Sequence, residues 1–197
     1  METNENTRLT DKIIEALRAS ALEMEKFQVK ATLGMAEAKD SFEEIKKKLN
    51  LLIHDSKFKI KTGKEKMDEI QAKLENLCVQ LNLGKAETID AFNEQKKQLL
   101  SAIHELEVKI TTNEHLKKTY ALFLIQMEIF KVELEILEKK FNKKGDTSES
   151  TFKRSKKSFL EFVDRLKSKY GKKKETKWEH FQHEVSEAFH HLKQAFN

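Results

Sequence analysis

Apolar residues recur at alternating steps of three and four along much of this chain. Ala31, Met35, Ala38, Phe42, Ile45, Leu49 and Leu52 form one such run, and Met67, Ile70, Leu74, Leu77 and Leu81 a second. Phe92, Leu99, Ile103, Leu106 and Ile110 continue it less strictly. This is the period of a helix with one buried seam, not the alternation of a strand. A third run is wider. Tyr120, Phe123, Leu124, Met127, Phe130, Leu134, Leu137 and Phe141 lie on one face, flanked by Leu122, Ile125, Ile129, Val132 and Ile136. Such a helix needs cover from several neighbours or from a partner chain.

Breakers and caps place the ends. Thr10 or Asp11 caps a first helix that runs to about residue 60. Thr62-Gly63 is the break before a second, which runs to about residue 111, and Thr112-Asn113 caps a third that reaches Gly145. The segment GDTSES is a loop, after which Ser148 or Ser150 caps a fourth helix over 151–170; a fifth covers 175–197. Gly34 and Gly84 fall inside helical patterns, where the expected reason for a glycine is close helix packing. The fold class expected is all-α, with long antiparallel coiled-coil helices and shorter C-terminal amphipathic helices. Its parts are a duplicated long-helix hairpin over 1–112, an apolar third helix over 113–145 packing on it, and a basic helical pair over 146–197.

The hairpin follows from an internal repeat. Residues 29–62 align without a gap on residues 79–112, at an offset of fifty, with identity at 16 of 34 positions. The pairs include Gly34/Gly84, Phe42/Phe92, Lys46/Lys96, Lys47/Lys97 and His54/His104. Shared helical composition does not bring a rare glycine, phenylalanine and histidine into one register. Fifty residues also equal four heptads plus two eleven-residue repeats, which returns the seam to the same face. Phe42 and Phe92 are therefore expected in the seam, buried.

Composition agrees with long helices. There is no proline, and charged residues make up 36% against 38% hydrophobic, more charge than a single compact core carries. One cysteine, Cys78, lies among Leu74, Leu77 and Leu81 and reads as a seam thiol, which suits a reducing, cytoplasmic setting. The start, METNENTRLTDK, shows no signal-peptide pattern. The longest uncharged apolar stretch, about 120–127, is too short to span a membrane. The net charge of +5 is uneven: residues 151–197 hold 12 Lys/Arg and 6 Asp/Glu, so residues 1–150 are nearly neutral.

Candidate chemistry is sparse. No glycine-rich phosphate loop, nucleophile elbow or cysteine cluster is present, so neither an enzyme nor a small-molecule substrate is expected. A di-iron bundle needs two Glu-x-x-His motifs on different helices, and only Glu187 to His190 fits, so no cofactor or metal is expected. His183, Glu187 and His190 or His191 share a helical face that reads as the solvated side opposite Trp178, Phe181, Val185, Phe189, Leu192 and Phe196. His54 and His104 read as residues flanking the seam.

The remaining candidate is an anion-binding segment over 152–177. It holds Lys153, Arg154, Lys156, Lys157, Arg165, Lys167, Lys169, Lys172, Lys173, Lys174 and Lys177. Phe152, Phe159, Phe162, Val163, Leu166 and Tyr170 occupy the other face of the same helix. Basic amphipathic helices bind anionic membrane surfaces or nucleic-acid phosphates, unless the apolar face packs in cis. A base-reading motif is absent, so any nucleic-acid binding is independent of sequence.

Residues 64–107, KEKMDEIQAKLENLCVQLNLGKAETIDAFNEQKKQLLSAIHELE, resemble the body of small bacterial coiled-coil proteins labelled stress-response proteins. Residues 177–197, KWEHFQHEVSEAFHHLKQAFN, resemble their C-terminal helix, with Trp178, Phe189 and Phe196 at the matching positions. The chain departs from that pattern by its second copy of the body and its apolar third helix. The resemblance implies a bacterial, non-catalytic helical protein and assigns no site. The function expected is that of a structural or interaction protein that associates with itself or another helical protein. The alternative is a peripheral binder of anionic membrane or nucleic acid through residues 152–177.

Overall fold

A computed structural model describes residues 2–32, 34–59, 66–141, 148–170 and 175–195. The described residues are helical apart from short connections: α1 (Glu2–Thr32), α2 (Met35–Lys59), α3 (Lys66–Leu81), α4 (Ile89–Thr111), α5 (Glu114–Thr119), α6 (Ala121–Phe141), α7 (Ser148–Tyr170) and α8 (Glu175–Ala195). They fall into two units, residues 35–143 and residues 1–34 with 144–197. This grouping differs from the expected 1–112 hairpin, because α1 pairs with α8.

The first unit is a four-helix arrangement in which α2 neighbours α3, α3 neighbours α4, α4 neighbours α6 and α6 neighbours α2. Side-chain ion pairs fix the directions. Lys73 pairs with Glu105 and Glu69 with Lys109, so α3 and α4 run antiparallel. Lys131 pairs with Glu107 and Lys96 with Glu138, so α4 and α6 do as well. The two helices of the repeat, α2 and α4, stand across the unit from each other, and with Phe42 beside Phe92 and Lys46 beside Gln95 they point the same way. Their phenylalanines meet in its centre: Phe42 lies edge to face on Phe92 at 5.0 Å, and Phe92 stacks on Phe141 at 4.2 Å. Both repeat phenylalanines are fully buried, as the seam assignment expects. The wide stripe of α6 is also buried, with only Leu122 among its large apolar residues exposed.

The long helices expected from the seam are not continuous. The first breaks at Gly34 between α1 and α2, and the second between Leu81 and Ile89. Gly84 sits in that connection, and a Cβ placed on it would meet nothing within 4 Å, so close helix packing is not the reason for this glycine. The break is built locally. Asn82 caps the end of α3, its Nδ2 donating to the Cys78 carbonyl at 2.9 Å. Thr88 caps α4, its Oγ1 accepting from the Ala91 N–H at 3.1 Å. The first copy has Ala38 where the second has Thr88. With no capping hydroxyl there, α2 begins earlier, at Met35.

Other ends follow expectation more closely. Thr112 ends α4, and Asn113 Oδ1 accepts from the Leu116 N–H at 3.2 Å, though a short α5 intervenes before α6. Thr10 lies inside α1 rather than capping it. Cys78 is half-buried beside the core residues Leu74, Leu77 and Leu81 rather than within the seam. Gly63 and Gly145 lie outside the described residues.

Candidate interaction faces

In the second unit α7 and α8 pack together, and α8 packs along α1. The apolar face of α7 is buried: Phe159 and Val163 completely, Phe162 and Leu166 nearly so. On α8, Trp178, Phe181 and Val185 are buried, with Trp178 edge to face against Phe181 at 6.4 Å. Polar flanks join the elements. Gln182 Nε2 donates to Asp164 at 2.7 Å, and Arg18 of α1 pairs with Glu184 at 3.5 Å.

Of the expected anion-binding residues, Lys157 and Arg165 are exposed and Lys167 is half-buried. Lys157 pairs loosely with Glu161 at 3.9 Å, and the Arg165 guanidinium lies 5.9 Å from the centre of the Phe162 ring. The backbone of Lys153, Arg154, Lys156, Lys169 and Lys177 is helical, while Lys172, Lys173 and Lys174 lie outside the described residues. The helix thus joins Lys157 and Arg165 on an outward side while its aromatic side is packed on its own protein. Glu161 and Asp164, also exposed, dilute the positive charge.

The histidine face of α8 is solvated. His180 pairs with Glu184 at 3.1 Å and His183 with Glu187 at 3.5 Å, one turn apart along the helix. Among the described residues no group of three or more His, Cys, Asp or Glu side chains is placed to hold a metal ion.

The densest polar chemistry lies in the first unit, at residues that sequence reasoning passed over. Lys46 is 1% exposed. Its Nζ donates to the Leu83 carbonyl at 2.9 Å and to Gln95 Oε1 at 3.3 Å, pairs with Glu43 at 2.8 Å and lies 4.8 Å from the Phe42 ring centre. Gln95 in turn donates to the Gly84 carbonyl at 2.7 Å. The connection from α3 to α4 is thereby held onto α2. Its rim is closed by Lys39 to Glu87 and Lys85 to Asp40, each at 2.8 Å. The Lys85 hydrogen bond and charge hold the Asp40 carboxyl below its ordinary range, and Lys39 does the same for Glu87.

Lys96, the repeat counterpart of Lys46, is buried too and reaches Glu138 on α6 at 2.6 Å. A further partly buried group joins Lys131 to Glu107 and Glu128, each at 2.8 Å. Burial raises the Glu107 carboxyl above its ordinary range, against the pull of Lys131. Burial lowers the Lys131 ammonium, but Glu128 and Glu107 outweigh it and the net direction is up. Lys46, Lys96 and Lys131 each have a carboxylate beside them, as the cost of burying an ion requires. The signal for Lys46 and Lys96 was present in the repeat, where both are identical lysines four residues after the buried phenylalanine.

No helix among the described residues is long and apolar enough to cross a membrane. Comparison with protein-family models, with curated proteins and with solved structures gives no match.

Proposed function

We propose that this chain is a non-catalytic structural protein of the cytoplasm that works through its helix faces, associating with copies of itself. The observation that carries this reading is how Lys46 is used. The most buried cation of the first unit is spent on a carbonyl, an amide and a carboxylate of its own chain, so it serves to hold helices together. What the protein offers outward is charged helix surface, the usual material of helix-to-helix recognition. The stress-response proteins that residues 64–107 and 177–197 resemble fit the same kind of role. Sedimentation velocity over a wide concentration range, under reducing conditions, tests the proposal. Concentration-dependent association supports it, and a strict monomer at every concentration would sink the self-associating part.

A second reading is a peripheral binder of polyanions through α7. It is favoured by the exposure of Lys157 and Arg165 on a helix whose aromatic side is already packed. Such binding would rest on charge and weaken steeply with salt. Co-sedimentation with anionic liposomes and with DNA at two salt concentrations tests it. Charge reversal at Lys156, Lys157, Lys172 and Lys173 is expected to abolish any binding seen. Absence of binding to either at low salt would leave the first reading alone.

A further inference from the structure

The duplication offers a test of which surface residues matter, because each position of α2 has a counterpart on α4. Over residues 34–55 and 84–105, four positions are buried in both copies, and all four are identical: Phe42/Phe92, Lys46/Lys96, Leu49/Leu99 and Ile53/Ile103. Packing explains these. Ten positions differ in burial between the copies or are half-buried, and only Ala36/Ala86 is identical among them. The copies have therefore diverged freely wherever the two surroundings differ, as in Lys39/Ile89 and Glu43/Asn93. Eight positions are exposed in both copies, and six of them are identical: Gly34/Gly84, Glu37/Glu87, Asp40/Asp90, Glu44/Glu94, Lys47/Lys97 and His54/His104. Exposed positions that only keep a helix soluble exchange Glu, Gln, Lys and Asn at little cost. Leaving aside the glycines of the connections, and Asp40 and Glu87, which pair with Lys85 and Lys39 within the unit, the core does not account for this retention.

The retained residues of each helix fall on one stripe. Steps of four, three and seven from Asp40 to Glu44, Lys47 and His54 place them on the side of α2 opposite Phe42, Leu49 and Ile53. Asp90, Glu94, Lys97 and His104 do the same on α4. Since α2 and α4 stand across the unit from each other, the two stripes face opposite directions. Their charge order is also self-complementary. Set antiparallel, the α2 stripe of one molecule places Glu44 opposite Lys97 and Lys47 opposite Glu94 of another, with Glu37 opposite His104.

We propose that these stripes are the self-association surface, the α2 face of one copy seating antiparallel on the α4 face of the next. The occupant is a second copy of this chain, and the argument for it is this charge complementarity. The inference rests on the self-associating reading above. A contact between two different faces does not close on itself, so it adds copies in a row rather than stopping at a dimer. Individual exposed pairs are weak and screened by salt, so the assembly is expected at low salt and high concentration.

The test uses the full chain with reducing agent present. Wild type, the charge-reversed variant Lys47→Glu with Lys97→Glu, and the swapped variant that adds Glu44→Lys and Glu94→Lys are compared by sedimentation velocity at low and physiological salt. The expected result is association in the wild type, roughly tenfold weaker association in the reversed variant, and recovery in the swapped variant, whose order is again self-complementary. All four positions are exposed, and circular dichroism checks that each variant is folded. A wild type that associates equally with its reversed variant overturns the stripes while leaving self-association standing. Failure of the swapped variant to recover also overturns them. A wild type that never associates overturns both readings together.

Discussion

Phe42 meets Phe92 edge to face at 5.0 Å, although the two stand fifty residues apart, one in each copy of the repeat. Aromatic pairs in this geometry add to what area burial alone supplies. Each ring is completely buried, and Phe92 also stacks on Phe141 of α6. Phe42→Ala and Phe92→Ala are expected to cost ~3–5 kcal/mol each, with Phe92→Ala the more damaging because it breaks two ring contacts. The double variant should lose less than the sum of the two, because the shared contact is lost only once. Urea melts of the three variants check this, and unchanged midpoints would refute the placement of both rings.

The cap on α4 gives a sharper local test. Thr88→Ala removes the acceptor for the Ala91 N–H and is expected to cost ~1 kcal/mol, while Thr88→Ser restores most of it. Gly84→Ala, four residues before that cap and facing open space, is expected to change stability by less than about 0.5 kcal/mol. A large loss in Gly84→Ala would show that the connection is tighter than the absence of any atom within 4 Å implies.

Acid should loosen the hold of the α3–α4 connection on α2. Lys85 and Lys39 keep Asp40 and Glu87 ionised to lower pH in the folded protein than in the unfolded chain. As pH falls, the unfolded chain takes up these protons first. The contribution of the two pairs is therefore full above the ordinary carboxylate range and is lost as pH falls through the depressed folded values. Glu107 has the opposite sign: burial raises its carboxyl, so the folded state takes up its proton first and gains stability on acidification. Asp40→Asn with Glu87→Gln should flatten the acid side of the stability curve, and Glu107→Gln should steepen it. Urea midpoints measured across the acid range decide the matter, and identical slopes in all variants would contradict the assignment.

The packing of α7 separates stability from binding. Phe159 is completely buried, so Phe159→Ala is expected to cost ~3–5 kcal/mol. Polyanion binding by the folded fraction should not change, because the outward residues Lys157 and Arg165 are untouched. Loss of liposome binding in a Phe159→Ala protein that melts like wild type would instead mean that the ring inserts into a membrane.

The seam and the repeat were legible because both rest on period and identity. They placed Phe42, Phe92, Leu49, Leu99 and Ile103 in the core, and Thr112-Asn113 at a helix end, while the seam took Leu52, which is half-buried, in place of the buried Ile53. The breaks at Gly34 and at 82–88 were not legible, because the apolar phase runs on through them. Leu77 and Leu81 lead to Phe92 with no shift of face, and a seam alone cannot distinguish a bent chain from a straight one. The deciding signal was a single hydroxyl at Thr88, which any polar surface residue resembles. The pairing of α1 was hidden for an electrostatic reason. Lys73–Glu105 and Glu69–Lys109 tie α3 to α4, but the first copy has Glu23 and Asp55, and Ala19 and Lys59, at the equivalent positions. One tie becomes like-charged and the other vanishes. In the basic segment the sequence left two fates open for the apolar face, and Phe159, Phe162, Val163 and Leu166 are buried in cis, while the burial of Lys46 and Lys96 is beyond what an apolar period can report.

Lys46 also makes this protein its own chemical clock. An acylating reagent modifies an exposed amine at its intrinsic chemical rate, but the Lys46 amine is enclosed by Leu83, Gln95, Glu43 and the Phe42 ring. It can react only when the chain between α3 and α4 lifts away from α2. The rate at which Lys46 is labelled, against that of Lys47 beside it on the outer face, therefore reads the fraction of time that corner stands open, without unfolding the rest.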